Sequence, residues 1–189
     1  MSVYICNSVT SVCLCVRTVL LDYLGGHAQQ NGEQLNNLLK TLDGFYKNDA
    51  MIAAGVPMSN RSEFIGYFII FQLGNKGEVS KYLQQLDDDV LNSPEVQFAI
   101  KIWCSLKNNN YAAFFRLLRE ANFLQACLMH RYVGEVRVAA MKKMVRGYFA
   151  GKNAEVYYPL TNLIRLLMFE DEEDALEFLQ HCGLEVLHV

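Results

Sequence analysis

Cysteine and histidine are the residue types in this chain best suited to hold a metal, and four of them invite the question. Cys127 and His130 share one helical turn in "CLMH", and His181 and Cys182 stand side by side near the far end. A zinc site draws four nitrogen or sulfur ligands, usually as two short pairs. Adjacent residues on a helix point roughly 100° apart, so His181 and Cys182 are poorly placed to share one ion. Cys127 falls on an apolar helix face. The reading is a core cysteine and surface histidines, with no metal. "CLC" at Cys13 to Cys15 lacks the neighbouring base and electropositive cleft that a thiolate nucleophile needs. Glu170, Asp171, Glu172, Glu173 and Asp174 form an acidic run, but acids there suit the first turn of a helix better than a catalytic dyad. No phosphate-binding glycine loop, zincin helix, nucleophile elbow or calcium loop occurs. No catalytic residue, cofactor or small-molecule substrate is expected, and the chain is not read as an enzyme.

Charge gives the better lead. The net charge of −3 assigns no partner, but its distribution is uneven. Between Arg131 and Lys152 stand six basic residues and one acid, Glu135; from Asn153 to Val189 stand eight acids and one arginine, Arg165. If 131 to 146 is one helix, Arg131, Lys142 and Arg146 fall within about 60° of arc. Such a face meets phosphates without reading bases. Arg131, Lys142, Lys143, Arg146 and Lys152 are therefore the candidate nucleic-acid-binding residues, chosen by charge alone. A solvated face or a protein-contacting surface is the plainer alternative.

The elements that would position these residues are mostly helices. A chain of 189 residues with 52% hydrophobic and 20% charged residues is long enough for one domain or two small ones sharing a core. Only Pro57, Pro94 and Pro159 interrupt it. The six cysteines show no disulfide framework and suit a reducing compartment. The first 24 residues lack a positive n-region and are interrupted by polar residues, so they read as neither a secretory signal nor a membrane anchor.

Leu35, Leu38, Leu39 and Leu42 share one helical face. "EFIGYFIIFQLG" is apolar on nearly every side and should be central, with Ser62 as its cap. "KGEVSKYLQQLDDDVLN" reads as one amphipathic helix. Ser93-Pro94-Glu95 opens another, with proline in the first position. "NNNY" is a turn, and "YAAFFRLLREA" returns with Tyr111, Phe114, Phe115 and Leu118 in one stripe. The expectation is an αα-hairpin in which this stripe meets the preceding helix. Beyond it, helices broken near Gly134, a possible short strand at "AEVYYP", two further helices with Gly183 as a C-terminal cap, and an alternating "LEVLHV" follow the order of a winged helix. Its second wing strand is missing.

"EFIGYFIIFQL" (63–73), "PEVQFA" (94–99), "NYAAFFRLLREANFLQACLMH" (110–130), "EVRVAAMKKM" (135–144) and "ALEFLQHCGLEV" (175–186) together resemble the Sac/GANP family, the scaffold of the TREX-2 mRNA-export complex; "GEQLNNLLKTLDGFY" (32–46) fits its earlier helix. The resemblance runs from about Gly32 to Val186, in what reads as a short or truncated member. It implies stacked TPR-like helical hairpins followed by a C-terminal PCI-type winged helix. The expected layout is a poorly matching segment at 1–31, helical hairpins at 32–125 and a winged helix at 126–189. The resemblance also implies a non-catalytic scaffold in the nucleus, associated with the nuclear pore. It would hold a PCI-domain subunit with its small acidic protein and contact RNA or DNA through a composite surface, without membrane attachment.

Two alternatives share this fold expectation: a lid-type PCI subunit of a proteasome, signalosome or initiation-factor assembly, and a truncated non-functional isoform. The last helix of a winged helix normally enters a DNA groove. Here it opens on five acids that repel the phosphate backbone, so DNA reading by this element alone is not expected.

Overall fold

A computed structural model describes residues 16–18, 28–48, 60–75, 77–148 and 157–184. Among them residues 16–18 are helical, nine further helices follow, and there is no strand. In chain order these are α1 (Ala28–Tyr46), α2 (Arg61–Phe71), α3 (Glu78–Leu83), α4 (Asp88–Leu91), α5 (Pro94–Lys107), α6 (Tyr111–Glu120), α7 (Phe123–Tyr148), α8 (Leu160–Leu167) and α9 (Glu172–His181). The chain divides into two compact units, Met1–Trp103 with Asn122–Leu128, and Cys104–Ala121 with Met129–Val189.

In the first unit α2 is the central element, as its all-round apolar sequence predicts. Phe64, Ile65, Tyr67, Ile69 and Ile70 are buried, and α1 lies against it through Leu35, Leu39, Leu42 and Tyr46. Each fully buried side chain of this size stabilises the unit by roughly 1.5–3 kcal/mol. Gly66 allows α5 to approach: a Cβ there would stand 3.1 Å from the Glu95 carbonyl oxygen. Two details differ from the sequence expectation. Ser62 lies inside the first turn, and the N-cap is Asn60, without a side-chain capping bond. The single helix expected over 76–92 is two short ones. Asp87 adopts extended backbone at the break, and its carboxylate binds Arg61 at 2.8 Å rather than capping α4. That ion pair turns a competitor for the backbone into a fixed corner.

In the second unit the asparagine run has two definite jobs. Asn109 takes a left-handed conformation (φ +51°), while the Asn110 and Asn109 amides donate to the Ser105 and Leu106 carbonyls at 2.7 and 3.0 Å. This is a Schellman termination of α5, with asparagine where glycine is commoner. Asn110 then caps α6, its side-chain oxygen accepting from the Ala113 amide at 3.1 Å. Phe114 and Phe115 are wholly buried and meet edge to face, with centroids 5.5 Å apart. In this unit α6 packs against α8, and α8 against α9, pairings that no spacing in the sequence marks. Gly183 (φ +75°) ends α9 in a second Schellman motif, the Leu184 and Gly183 amides donating to Leu179 and Gln180.

The break expected near Gly134 does not occur; α7 runs unbroken through it for 26 residues. One exposed glycine costs a helix only about 1 kcal/mol, which flanking packing outweighs. The mainly helical class holds. Of the strand expected at 154–159, Tyr157, Tyr158 and Pro159 carry no regular structure, and neither does Leu184, the first residue of the strand expected at 184–189; the remainder of both lies outside the described residues.

Candidate nucleic-acid interface

Arg131, Lys142, Lys143 and Arg146 all stand exposed on α7, and Lys152 lies outside the described residues. The unbroken helix sets Arg131, Lys142 and Arg146 within about 60° of one another along roughly 22 Å. Lys142 and Arg146, four residues apart, form the dense end of this arc. Glu135 falls inside it, one turn beyond Arg131, and divides Arg131 from the other two. Arg131 also lies over the neighbouring Tyr132 ring at 5.3 Å. Lys143 points elsewhere: its ammonium donates to the Asn109 carbonyl at 3.2 Å. The arc therefore presents three cations and one acid to solvent.

Arg137 is the basic residue that charge counting misplaces. It belongs to the stripe Val133, Arg137, Ala140 and Met144, whose other members are buried, and the side chain follows them inward. Its guanidinium donates to the Leu167 and Met168 carbonyls at 3.2 and 2.5 Å, stacks 4.0 Å from the Phe169 ring centroid, and lies 3.5 Å from the Asp174 carboxylate. Burial pulls its pKa below the usual value, while Asp174 and Glu170 oppose that fall. The contacts explain an otherwise costly backbone: Met168 ends α8 at φ +53°, where a non-glycine residue is strained by about 1–2 kcal/mol. A cation on the last carbonyls of α8 offsets that strain. A basic residue in register with an apolar stripe was the available signal.

The acidic run does what its position predicts. The Asp171 side chain caps α9 by accepting from the Asp174 amide at 2.8 Å, and Glu172, Glu173 and Asp174 fill the first turn. Beside it opens a groove of about 650 Å³, lined by parts of α6, α7 and α9 and by Met168.

Among the described residues no three histidine, cysteine or acidic side chains cluster as a metal would require. Burial raises the pKa of the Cys127 thiol, which disfavours the thiolate that reacts. Among the described residues, no helix is long and apolar enough to cross a membrane.

Fold and surface together define a mainly helical module with a cationic arc on one side of a long helix and an acidic groove on another. Comparison with known proteins makes this specific. The SAC3/GANP family model matches residues 2–188, and the chain belongs to that family. It is 32% identical over 82% of its length to Protein xmas of Drosophila melanogaster. It is 29% identical over 86% to SAC3 family protein B of Arabidopsis thaliana, and 28% identical over 84% to SAC3 family protein 1 of Schizosaccharomyces pombe. The chain spans only 8%, 10% and 17% of those three proteins, respectively.

Proposed function

We propose that this chain is a non-catalytic scaffold module of a nuclear, TREX-2-type mRNA-export assembly. In this reading it holds a PCI-domain subunit that carries a small acidic protein, and the pair jointly contacts nucleic acid. The observation that carries the nucleic-acid part is the exposed arc of Arg131, Lys142 and Arg146 on one unbroken helix. Family membership supports the assembly and its nuclear, pore-associated setting, and favours the export scaffold over a lid-type PCI subunit. The acids of α9 fit a shared surface better than a self-sufficient DNA reader, because they repel phosphate where a groove-entering helix would meet it.

The test is co-purification of the chain with a PCI-domain subunit and the small acidic protein, followed by RNA binding. A stable ternary complex is expected. Lys142→Glu with Arg146→Glu should leave assembly intact and lower RNA affinity several-fold, because two phosphate contacts become repulsions. Failure to assemble would refute the scaffold role, and unchanged RNA affinity would remove the arc from the interface. Lys143→Glu, at the residue turned toward Asn109, should have the smaller effect on RNA.

A further inference from the structure

We infer that the groove bounded by α6, α7 and α9 is a docking site for a basic amphipathic segment of a partner protein. The groove, about 650 Å³ in volume, has a floor of Leu118, Val133 and Met168, and acids on its α9 side. That volume is within the range that accepts several side chains of a ligand.

Internal contacts account for only some of its acids. Asp171 is spent on the α9 cap, and Asp174 faces Arg137 and accepts the Glu170 amide. Glu170 acts electrostatically on Arg137. Glu173 and Glu177 remain. Both line the groove, both are exposed, and among the described residues neither has a side-chain hydrogen bond or ion pair. They are four residues apart on one helix, where like charges disfavour the helix. Among the described residues lining the groove, the permanent cation Arg137 is fixed on the Leu167 and Met168 carbonyls, and the other basic side chain is the imidazole of His130.

An apolar floor with two unopposed carboxylates at its edge is complementary to an apolar side chain flanked by lysine or arginine. Nucleic acid would be repelled. The groove is also distinct from the cationic arc: His130, Val133 and Arg137 lie roughly 150° around α7 from Arg131, Lys142 and Arg146. The inference therefore stands apart from the nucleic-acid reading.

The experiment uses the whole chain and a fluorescent synthetic peptide repeating leucine at i and i+4 with lysine on the flanks, read by anisotropy. Controls are oligolysine of the same length and a peptide with glutamate replacing lysine. The leucine–lysine peptide should bind saturably and the other two should not. Glu173→Lys with Glu177→Lys should weaken binding about tenfold or more. Glu173→Gln with Glu177→Gln should weaken it less, and serves as the test if the charge reversal disturbs folding by circular dichroism. Equal affinity for the variants, or for oligolysine, overturns the proposal. So does sedimentation showing that these residues hold a second copy of the chain instead.

Discussion

Two residues show how single side chains set the chemistry of this protein. Arg137 holds the left-handed Met168 turn through two charge-assisted hydrogen bonds and a ring contact. Its replacement by methionine should keep the apolar stem and lose the rest, about 2–3 kcal/mol on the scale of hydrogen bonds to charged groups. Lysine should rescue little, because an ammonium cannot both fork across two carbonyls and stack on Phe169. Urea denaturation of the three proteins checks this; a lysine variant as stable as the native chain would show that charge alone suffices. Tyr82 makes a prediction in pH. Its hydroxyl donates to Asp43 at 2.8 Å, and burial first, then the Asp43 carboxylate, raise its pKa well above the usual tyrosine value. The unfolded phenol ionises near pH 10. A group with a raised folded pKa contributes stability that is complete below the unfolded value and is lost as pH rises beyond it. The melting temperature of the native chain should therefore fall above about pH 10, and Tyr82→Phe should flatten that fall. Tyr67, also raised by burial and by Glu63, should keep the slope from vanishing. Parallel curves for the two proteins would contradict the assignment.

At the scale of elements, the legible features were those governed by local rules. Pro94 opens α5, acids open α9 and Gly183 closes it, because caps and dipoles act within one turn. What stayed hidden depends on distant partners. Asp87 stands extended at a helix break with its carboxylate on the distant Arg61, and the Phe114–Phe115 stripe belongs to a helix that packs on α8 some forty residues along the chain. Gly134 misleads for a simpler reason: glycine lowers helix propensity without forbidding a helix. The two glycines therefore respond oppositely to alanine. At Gly134 a Cβ meets no atom within 4 Å and the backbone is helical, so alanine should stabilise by about 0.5–1 kcal/mol. At Gly183 space is equally open, but φ is +75°, and alanine should cost about 1–2 kcal/mol. Thermal melts of both variants separate backbone freedom from packing; a loss at Gly134 would mean that α7 needs a hinge there.

At the scale of the whole molecule, the distribution of charge matters more than its sum. A net charge of −3 and an isoelectric point near 5.8 do not favour attraction to nucleic acid at long range. In the proposed reading the attraction comes from the short α7 arc, and the sequence revealed that arc only in part: the count of basic residues was legible, but the diversion of Arg137 and Lys143 was not. This limits how strongly the chain can bind RNA on its own. Three exposed cations contacting a single strand release roughly two counterions, giving a log–log salt slope of about −2. Glu135 within the arc should make the measured slope shallower. A partner that adds its own basic surface should steepen the slope without changing the contribution of this chain. RNA affinity measured over a salt series, for the chain alone and for the ternary complex, tests that division. A shallow slope becoming steep on assembly would identify a composite surface. An equally steep slope for the isolated chain would mean that it carries more phosphate contacts than the arc can supply. In both states Lys142→Ala with Arg146→Ala should reduce the slope by about 1.4. That common decrement is what a phosphate-contacting arc requires, because each lost cation removes the same counterion release whatever else the complex adds.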